Sequence, residues 1–555
     1  MRCRTGGTIP LEPADPMTAR TFHPSVAARL ALAACAFFFL AGQPFLPLLG
    51  VQNDEALFEG AFLNPRSGFF LQLGRSHLPI MALSYLGTLK AWLYRTVFMI
   101  FAPGAWSLRE PALCMGALSI WLFFLLMRRV AGPRSAGIAC GLLAVDAVYL
   151  LTSCFDWGPV VLQHLLFIGG MLLLVRFYQE RRQGPLCAAF LCFGLAMWDK
   201  ALAEWMLSGM CVAALALFPR KILHLVTARR AAIAGFFFAL GALPLILYNA
   251  RSHSDTFRGY RYDASQMPLK ARILYNTARG DVLFEWLVNE DWQTPSPRHP
   301  DSALEKASFG LAELAGNPRH NLLLLVFGLA LLLAPLARGT DLRVILFALV
   351  VMAVQWIQMA VTGNAGTGAH HTILLWPMPQ MVIGASFASA SRRWSRMGTP
   401  ALAAVLAVAM VAGALQINEY YRYAWRNGGT PAWSDAVFRL AETMNKVKKG
   451  PIFCADWGIM DPLRLLDRGR LTLGYIYDAA PPGDAPPDAA RIIAAIAAPD
   501  HIFVSHTPSL EYMKDAGAKI RSVAEAAGYR RHTVSLIADR FGRNIFETYR
   551  FTREP

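Results

Sequence analysis

Long apolar runs separated by short polar links make up the chain from residue 26 to residue 420. Most of these runs approach the roughly 20 apolar residues that a helix needs to cross a bilayer. Eleven spans are predicted, at residues 26–49, 111–127, 135–152, 158–176, 185–198, 202–218, 231–250, 320–337, 343–362, 372–391 and 399–418. The pattern predicts a polytopic α-helical membrane protein.

Residues 79–101 are apolar enough to form a twelfth span, but Lys90 and Arg95 lie near their middle. A central Lys or Arg costs about 2.5 to 3.5 kcal/mol on insertion scales. Without this span, the arginine-rich links all lie on the side of the N-terminus, at residues 128–134, 176–182, 220–230, 338–343 and 392–396. The short links on the opposite side, 153–157, 198–201 and 363–372, contain a single Lys or Arg, which is Lys200. The positive-inside rule therefore favours eleven spans, and residues 79–101 are expected to be amphipathic and to lie on the outer face.

Composition agrees with a membrane protein, because 55% of the 555 residues are hydrophobic and only 16% are charged. The net charge of +16 comes largely from the arginine-rich links, so no nucleic-acid partner is expected. The nine cysteines are odd in number and six lie inside apolar runs, which argues against a disulfide framework. The first span lacks a clear small-residue cleavage site, so we expect a retained anchor.

This topology divides the chain into three parts, the second of which contains two outer loops. Residues 1–25 form a cytoplasmic segment, and residues 26–420 form the membrane domain. Within that domain, residues 51–110 form a first outer loop with amphipathic helices, and residues 251–319 form a large outer loop. Residues 421–555 also face outward, which in a bacterium is the periplasmic side of the inner membrane.

The outward tail has the pattern of a small α/β domain. Residues 451–455 and 501–505 read as short buried strands, and residues 510–527 as a helix. Residues 532–538 and 544–551 are expected to form a closing strand pair. Asp456-Trp457-Gly458 follows the first of these strands and is typical of a strand-end turn.

The acidic pair Asp54-Glu55 lies just beyond the first span, on the predicted outer face. That is where an enzyme acting on a lipid-linked substrate would need its base. ATP and nucleotide sugars are not expected in the periplasm, and the chain has no Walker loop and no GxGxxG between a strand and a helix. An enzyme on that side needs an activated donor that arrives through the membrane.

The order of these motifs resembles the GT-C superfamily of membrane glycosyltransferases over roughly residues 25–420. The motifs are the outward Asp54-Glu55, an outer amphipathic loop, Leu108-Arg109-Glu110-Pro111-Ala112-Leu113 opening the second span, and Asp156 after the third. More closely, the chain resembles the glycosyltransferase family 39 group, which holds the protein O-mannosyltransferases and the lipid A aminoarabinose transferase. Members take a sugar from a polyprenyl phosphate and pass it, with inversion, to an acceptor on the outer face.

The resemblance implies that Asp54 is the catalytic carboxylate and Asp156 the second acid. Ser76-His77-Leu78-Pro79 stands where members often have Lys-Pro-Pro-Leu, which places His77 at a donor-contact position. The arginine that usually precedes the second acid is absent.

The chemistry of this transfer requires few groups. A base takes the proton of the acceptor hydroxyl, positive charge stabilises the departing phosphate, and water is excluded. Phosphate is already a weak base, so no paired acid is needed, in contrast to an ordinary glycosidase. Asp54 is the expected base, and Glu55 is expected to orient it or to cap the following helix.

Structural roles compete with each of these assignments. Asp54 and Glu55 are also suited to the first turn of a helix, and Asp156 to the start of the fourth span. Lys200 is a candidate phosphate contact or, with Asp199, part of a local ion pair with Glu204. Lys90 is either a snorkelling side chain or a contact to the donor phosphate.

Further candidate contacts to the donor or the acceptor are His370, His371, Arg258, Tyr260 and Arg261. The histidine pair could also ligate a divalent metal, but adjacent helical positions point about 100 degrees apart and no zinc spacing is present. No cofactor is therefore expected to be required.

Two function classes remain. The first is an inverting glycosyltransferase with a polyprenyl-phosphate sugar as donor and a periplasmic lipid, glycan or protein as acceptor. The second is a non-enzymatic transporter or flippase of a polyprenyl-linked sugar. A transporter is expected to have inverted halves and broken helices near the middle of the membrane, and the sequence shows neither.

Overall fold

The computed structural model describes residues 26–64, 68–258, 261–363, 365–394, 398–446 and 450–553. The first part of the chain comprises α1 (Val26–Gly42), α2 (Asn53–Glu59), β1 (Phe69–Leu73), β2 (Ser76–Leu83), β3 (Leu86–Gly87), α3 (Leu89–Ile100) and α4 (Ala105–Val130). A second group of helices follows: α5 (Pro133–Ala144), α6 (Ala147–Cys154), α7 (Val160–Glu180), α8 (Gln183–Asp199), α9 (Ala203–Leu217), α10 (Pro219–Leu225), α11 (Ala228–Gly241) and α12 (Leu243–Ser252).

Short helices occupy the large loop before the last apolar helices. They are α13 (Asp255–Arg258), α14 (Met267–Arg279), α15 (Val282–Trp286) and α16 (Ala303–Leu314). The apolar helices that follow are α17 (Leu323–Leu333), α18 (Thr340–Val361), α19 (Ala369–Thr372), α20 (Met378–Arg393) and α21 (Gly398–Asn427).

Within the described residues, six helical segments are long and apolar enough to cross a membrane, and up to nine if each bent pair counts as one span. The bent pairs are α5 with α6 (64°), α9 with α10 (104°) and α11 with α12 (72°). Each pair is a broken span or a re-entrant loop, so the expectation of unbroken helices, which argued against a transporter, is wrong for these three segments. The other two predicted spans correspond to α8, which has 17 residues, and to the short apolar helix Leu323–Leu336. The fold is thus a membrane helix bundle, and the count of eleven spans stays a prediction.

Helix α20 lies at the centre of the bundle, where its side chains are almost all buried against α5, α17 and α18. Its small residues allow close backbone approach, which is how helices pack in membranes. A Cβ added at Gly384, for example, would lie 2.7 Å from the carbonyl oxygen of Ser135 in α5.

The first outer loop differs from the expected amphipathic helices. Strands β1, β2 and β3 form an antiparallel sheet, and only the second half of residues 79–101 is helical, as α3. The reason is tertiary packing, because Ile80 and Met81 of β2 are buried against Trp198 and Leu245 of the bundle. An apolar run of this length is compatible with a strand or a helix, and its neighbours decide between them.

The C-terminal region contains α22 (Ala436–Asn445), β4 (Ile452–Cys454), α23 (Met460–Leu466), β5 (Leu473–Tyr475), α24 (Ala489–Ile496), β6 (Ile502–His506), α25 (Lys514–Ala526), β7 (Tyr529–Ala538) and β8 (Asn544–Arg553). The sheet has the order β5-β4-β6-β8-β7, parallel around β4 and antiparallel from β6 to β7. Strands β4, β6, β7 and β8 correspond to the four predicted ones. Strand β5 was not predicted.

Candidate active site

Asp54 lies in the first turn of α2, where the chain leaves the first membrane helix. The helix begins with a capping box in which Gln52 accepts a hydrogen bond from the Asp54 amide at 2.6 Å, and Glu55 accepts one from the Gln52 amide. The cap is therefore made by Gln52 and Glu55. The Asp54 carboxylate remains outside it and accepts a hydrogen bond from Asn53 at 3.3 Å.

Glu55 has a structural role at the start of α2. Its carboxylate forms a buried ion pair with Arg109 of α4, with an N–O distance of 2.8 Å. Arg109 also donates to the backbone carbonyls of Leu46, Leu49 and Gly50. This network fixes the turn between α1 and α2, so Glu55 holds the helix that carries Asp54.

Asp156 and Lys90 form a second buried ion pair. Asp156 has a positive φ of 40° and also accepts a hydrogen bond from the amide of Val161, at the start of α7. Lys90 in α3 is only 1% exposed, so its side chain does not extend to the membrane surface. The expected snorkelling position is wrong for Lys90, because α3 packs on the bundle and brings the ammonium to Asp156.

Lys200 follows α8 and is also buried, with 3% of its surface exposed. The turn between β2 and β3 holds it in place, since the amide of Ala201 donates to the carbonyl of Tyr85 and Lys200 itself forms a bridge with Leu86. Its ammonium donates to the carbonyl of Gly158 at 3.5 Å.

Across the described ranges no carboxylate lies within 4 Å of the Lys200 ammonium, so the expected pair with Glu204 is not formed. The neighbouring Asp199 instead accepts a hydrogen bond from Gln163 of α7 at 2.9 Å. Lys200 is thus a buried cation without a direct ionic partner in the described part of the chain.

His370 and His371 lie beside Lys200. The ring of His370 is 4.5 Å from that of Trp157 and 4.0 Å from that of His371. A Cβ added at Gly158 would contact both His370 and the Lys200 ammonium. Gly158, Lys200 and His370 therefore lie in one site. No group of three residues suited to holding a metal ion occurs in the described ranges.

The electrostatics of the site favour a base next to a cation. Burial raises the pKa of Asp54, although Asn53, Lys200 and Trp157 stabilise its charged form. Burial lowers the pKa of Lys200 to about 8, although the negative charges of Asp54, Asp199 and Asp156 oppose this decrease. Near pH 7 Lys200 is still mostly charged, while Asp54 is more basic than an exposed carboxylate.

The C-terminal region closes one side of this site. Leu465 of α23 packs against Ala56 of α2, and a shallow cleft lies between α2, β2 and α23. Asp461 and Arg464 line the cleft as an ion pair. Burial raises the pKa of Asp461, although Arg464 and Tyr475 stabilise its charged form, and the charge of Asp54 adds to the increase.

The structure thus brings together Asp54, Lys90, Asp156, Lys200, His370 and His371 from five separate segments of the chain. His77 lies in β2, where its ring packs against that of Phe70 with 5.0 Å between the ring centroids. Arg258 and Arg261 are exposed in the large loop, and Tyr260 lies outside the described residues.

Trp157 and Gln163 were missed by the sequence analysis, although a glutamine inside an apolar span is itself a signal of a polar contact.

Comparisons with known proteins agree with this architecture. A family model described as dolichyl-phosphate-mannose-protein mannosyltransferase matches residues 87–248. The crystal structure of ArnT from Cupriavidus metallidurans bound to undecaprenyl phosphate is similar with a TM-score of 0.55 and 12% sequence identity, covering 95% of this chain and 98% of ArnT. The apo oligosaccharyltransferase of Archaeoglobus fulgidus matches with a TM-score of 0.49 and 13% identity, over 91% of this chain and 69% of that one.

No curated protein matches the chain in sequence. The family match confirms the predicted resemblance to the protein mannosyltransferases over residues 87–248, and the fold is similar to that of ArnT.

Proposed function

We propose that this chain is an inverting glycosyltransferase that moves a sugar from a polyprenyl-phosphate donor to an acceptor hydroxyl on the periplasmic face of a bacterial inner membrane. The observation that carries the proposal is the buried Lys200 ammonium, without a direct ionic partner in the described residues, in the field of the Asp54 carboxylate. The crystal structure of ArnT, which shares this fold, holds undecaprenyl phosphate, and this supports the class of donor.

Asp54 acts as the general base. It takes the proton of the acceptor hydroxyl while the acceptor oxygen attacks the anomeric carbon and the bond from that carbon to the phosphate oxygen breaks. The phosphate leaves with the bonding electron pair, and the proton stays on Asp54. A single displacement of this kind inverts the anomeric carbon.

Lys200 stabilises the negative charge that develops on the leaving phosphate. A preorganised cation in a buried site is effective here because little solvent has to reorganise around it. The Lys90–Asp156 pair supports this role, since Lys90 neutralises the carboxylate that would otherwise compete for Lys200. His370 and His371 are placed to contact the donor or the acceptor, and the chemistry requires no metal or other cofactor.

The test is transfer of a labelled sugar from purified polyprenyl-phosphate donors by the wild-type chain and by Asp54→Asn in detergent. Asp54→Asn keeps the size of the side chain but removes the base, so the rate is expected to fall by about 10² to 10⁴. Asp301→Asn is the matched control, because Asp301 is an exposed acid in the large loop.

Equal rates for Asp54→Asn and the wild type would remove Asp54 from the mechanism. Wild-type protein that transfers nothing from several donors, yet moves a labelled lipid-linked sugar across a vesicle membrane, would identify a transporter instead.

A further inference from the structure

A second, shallow cleft lies where the first outer loop meets the C-terminal region. It is lined, among others, by Gln52, Asn53, Ser434, Trp457, His506 and Tyr512. The two sides are in close contact, because the amide of Gly50 donates to the carbonyl of Trp433 at 2.8 Å. The cleft therefore belongs to a fixed junction and lies directly beside the helix that carries Asp54.

His506 is held in one orientation at the wall of this cleft. Its Nδ1 lies 2.6 Å from the carboxylate of Asp456, which also accepts hydrogen bonds from the amides of Trp457, Tyr512 and Met513. His506 Nε2 makes no hydrogen bond to any residue that the structure describes. With Nδ1 donating to Asp456, Nε2 of a neutral ring is an acceptor for the hydroxyl of a ligand.

Aromatic side chains form the rest of the wall. The rings of Trp457 and Tyr512 lie 5.5 Å apart, and the ring of Tyr512 lies 5.2 Å from that of His506. Tyr512 is 46% exposed although it is a large aromatic residue. Exposed aromatic faces next to oriented polar groups are typical of small-ligand sites.

The lack of charged side chains in the described lining of the cleft limits the class of ligand that it can bind. No Lys, Arg, Asp or Glu occurs among the described residues that line the cleft. A phosphate or an ammonium group would therefore lack a counter-charge, whereas a neutral ligand rich in hydroxyl groups matches the imidazole, the amides and the Ser434 hydroxyl. The C–H face of a sugar ring matches the aromatic wall.

We propose that this cleft binds a neutral sugar ring of a glycan acceptor. The ring packs on Trp457 and Tyr512, and its hydroxyls bond to His506 Nε2 and to the amides of Gln52 and Asn53. Asn53 also donates to the Asp54 carboxylate, so it links the cleft to the base. This inference rests on the proposed function and specifies the class of its acceptor.

The test is binding of the full chain, in lipid nanodiscs and without donor, to an array of neutral oligosaccharides of hexoses, N-acetylhexosamines, pentoses and deoxyhexoses. At least one class is expected to bind. Trp457→Ala and Tyr512→Ala should each weaken that binding about tenfold, the loss of one aromatic contact. Both side chains are partly exposed, so these variants leave the buried core intact.

His532→Ala is the control, because His532 is an exposed residue of β7 in the same region. Binding to no class of glycan, or unchanged binding by the two aromatic variants, would overturn the proposal. Preferred binding to a peptide array would assign the cleft to a protein acceptor and also overturn it. The array needs neither donor nor Asp54, so its failure is distinct from a failure of sugar transfer.

Discussion

Asp54 and Glu55 are adjacent in sequence but have opposite environments. The Glu55 carboxylate pairs with Arg109 and takes part in the capping box, so it has a structural role. The Asp54 carboxylate accepts a hydrogen bond from Asn53, and the charge of Lys200 and the side chain of Trp157 also stabilise its ionised form. This difference assigns the chemistry to the first of the two acids.

The pH dependence of transfer follows from these two groups. Asp54 must be ionised and Lys200 protonated, so the rate should be bell-shaped in pH. The acidic limb should lie above the usual carboxyl range, because burial raises the pKa of Asp54. The alkaline limb should lie near pH 8, where Lys200 loses its proton.

Initial transfer rates of the wild type and of Lys200→Arg, compared across this range, check the assignment. In the variant the alkaline limb should move upward, because a guanidinium stays charged. A wild-type rate that still rises well beyond pH 8 would contradict a role for the Lys200 charge.

The sequence indicates single residues of the site but not their partners. Asp54 and Asp156 stand out because they follow the first and the third predicted span on the same face of the membrane, in the order of the family motifs. The pairing of Asp156 with Lys90 depends on how α3 packs, which no local pattern encodes. Asp456 and His506 are similarly far apart in sequence and meet only because β4 and β6 are neighbours in the sheet.

At the scale of elements, the sheet of the first outer loop positions Lys200. The indole of Trp198 donates to the carbonyl of Ile80 in β2 at 2.8 Å, and the turn before β3 bonds to Ala201. The apolar periodicity predicted an interfacial element here. It did not distinguish strand from helix, because the deciding contacts come from α8 and α12.

Gly87 of β3 tests this role of the sheet. A Cβ at residue 87 would overlap the backbone carbonyl of Trp198, so Gly87→Ala must push β3 away from the segment that carries Lys200. A displacement of about 1 Å at a reacting group can cost about 10²-fold in rate, and we expect a loss of transfer of that order.

Initial transfer rates and thermal unfolding of Gly87→Ala check this expectation, with Gly137→Ala in α5 as the control. Nothing lies within 4 Å of a Cβ added at Gly137, so that variant should retain the wild-type rate. A Gly87→Ala variant with full activity would show that β3 does not position the site.

At the scale of the whole molecule, apolar runs and charge bias predicted a helix bundle with an outward α/β tail. The bundle is present, and the C-terminal sheet packs against the first outer loop through α2 and α23. That contact joins residues about 400 positions apart, and sequence periodicity carries no information on such a distance. The side of the membrane on which the site lies still depends on the arginine-rich links.

Labelling from one side of the membrane tests this arrangement most directly. Two variants of a cysteine-free chain would each carry one cysteine: Arg75→Cys, in the exposed turn between β1 and β2, and Arg134→Cys, at an exposed position in the first turn of α5. An impermeant thiol reagent added to intact spheroplasts should label residue 75 and should label residue 134 only after lysis. Labelling of both positions in intact spheroplasts, or of neither, would place Asp54 and the arginine-rich links on one side and contradict the account.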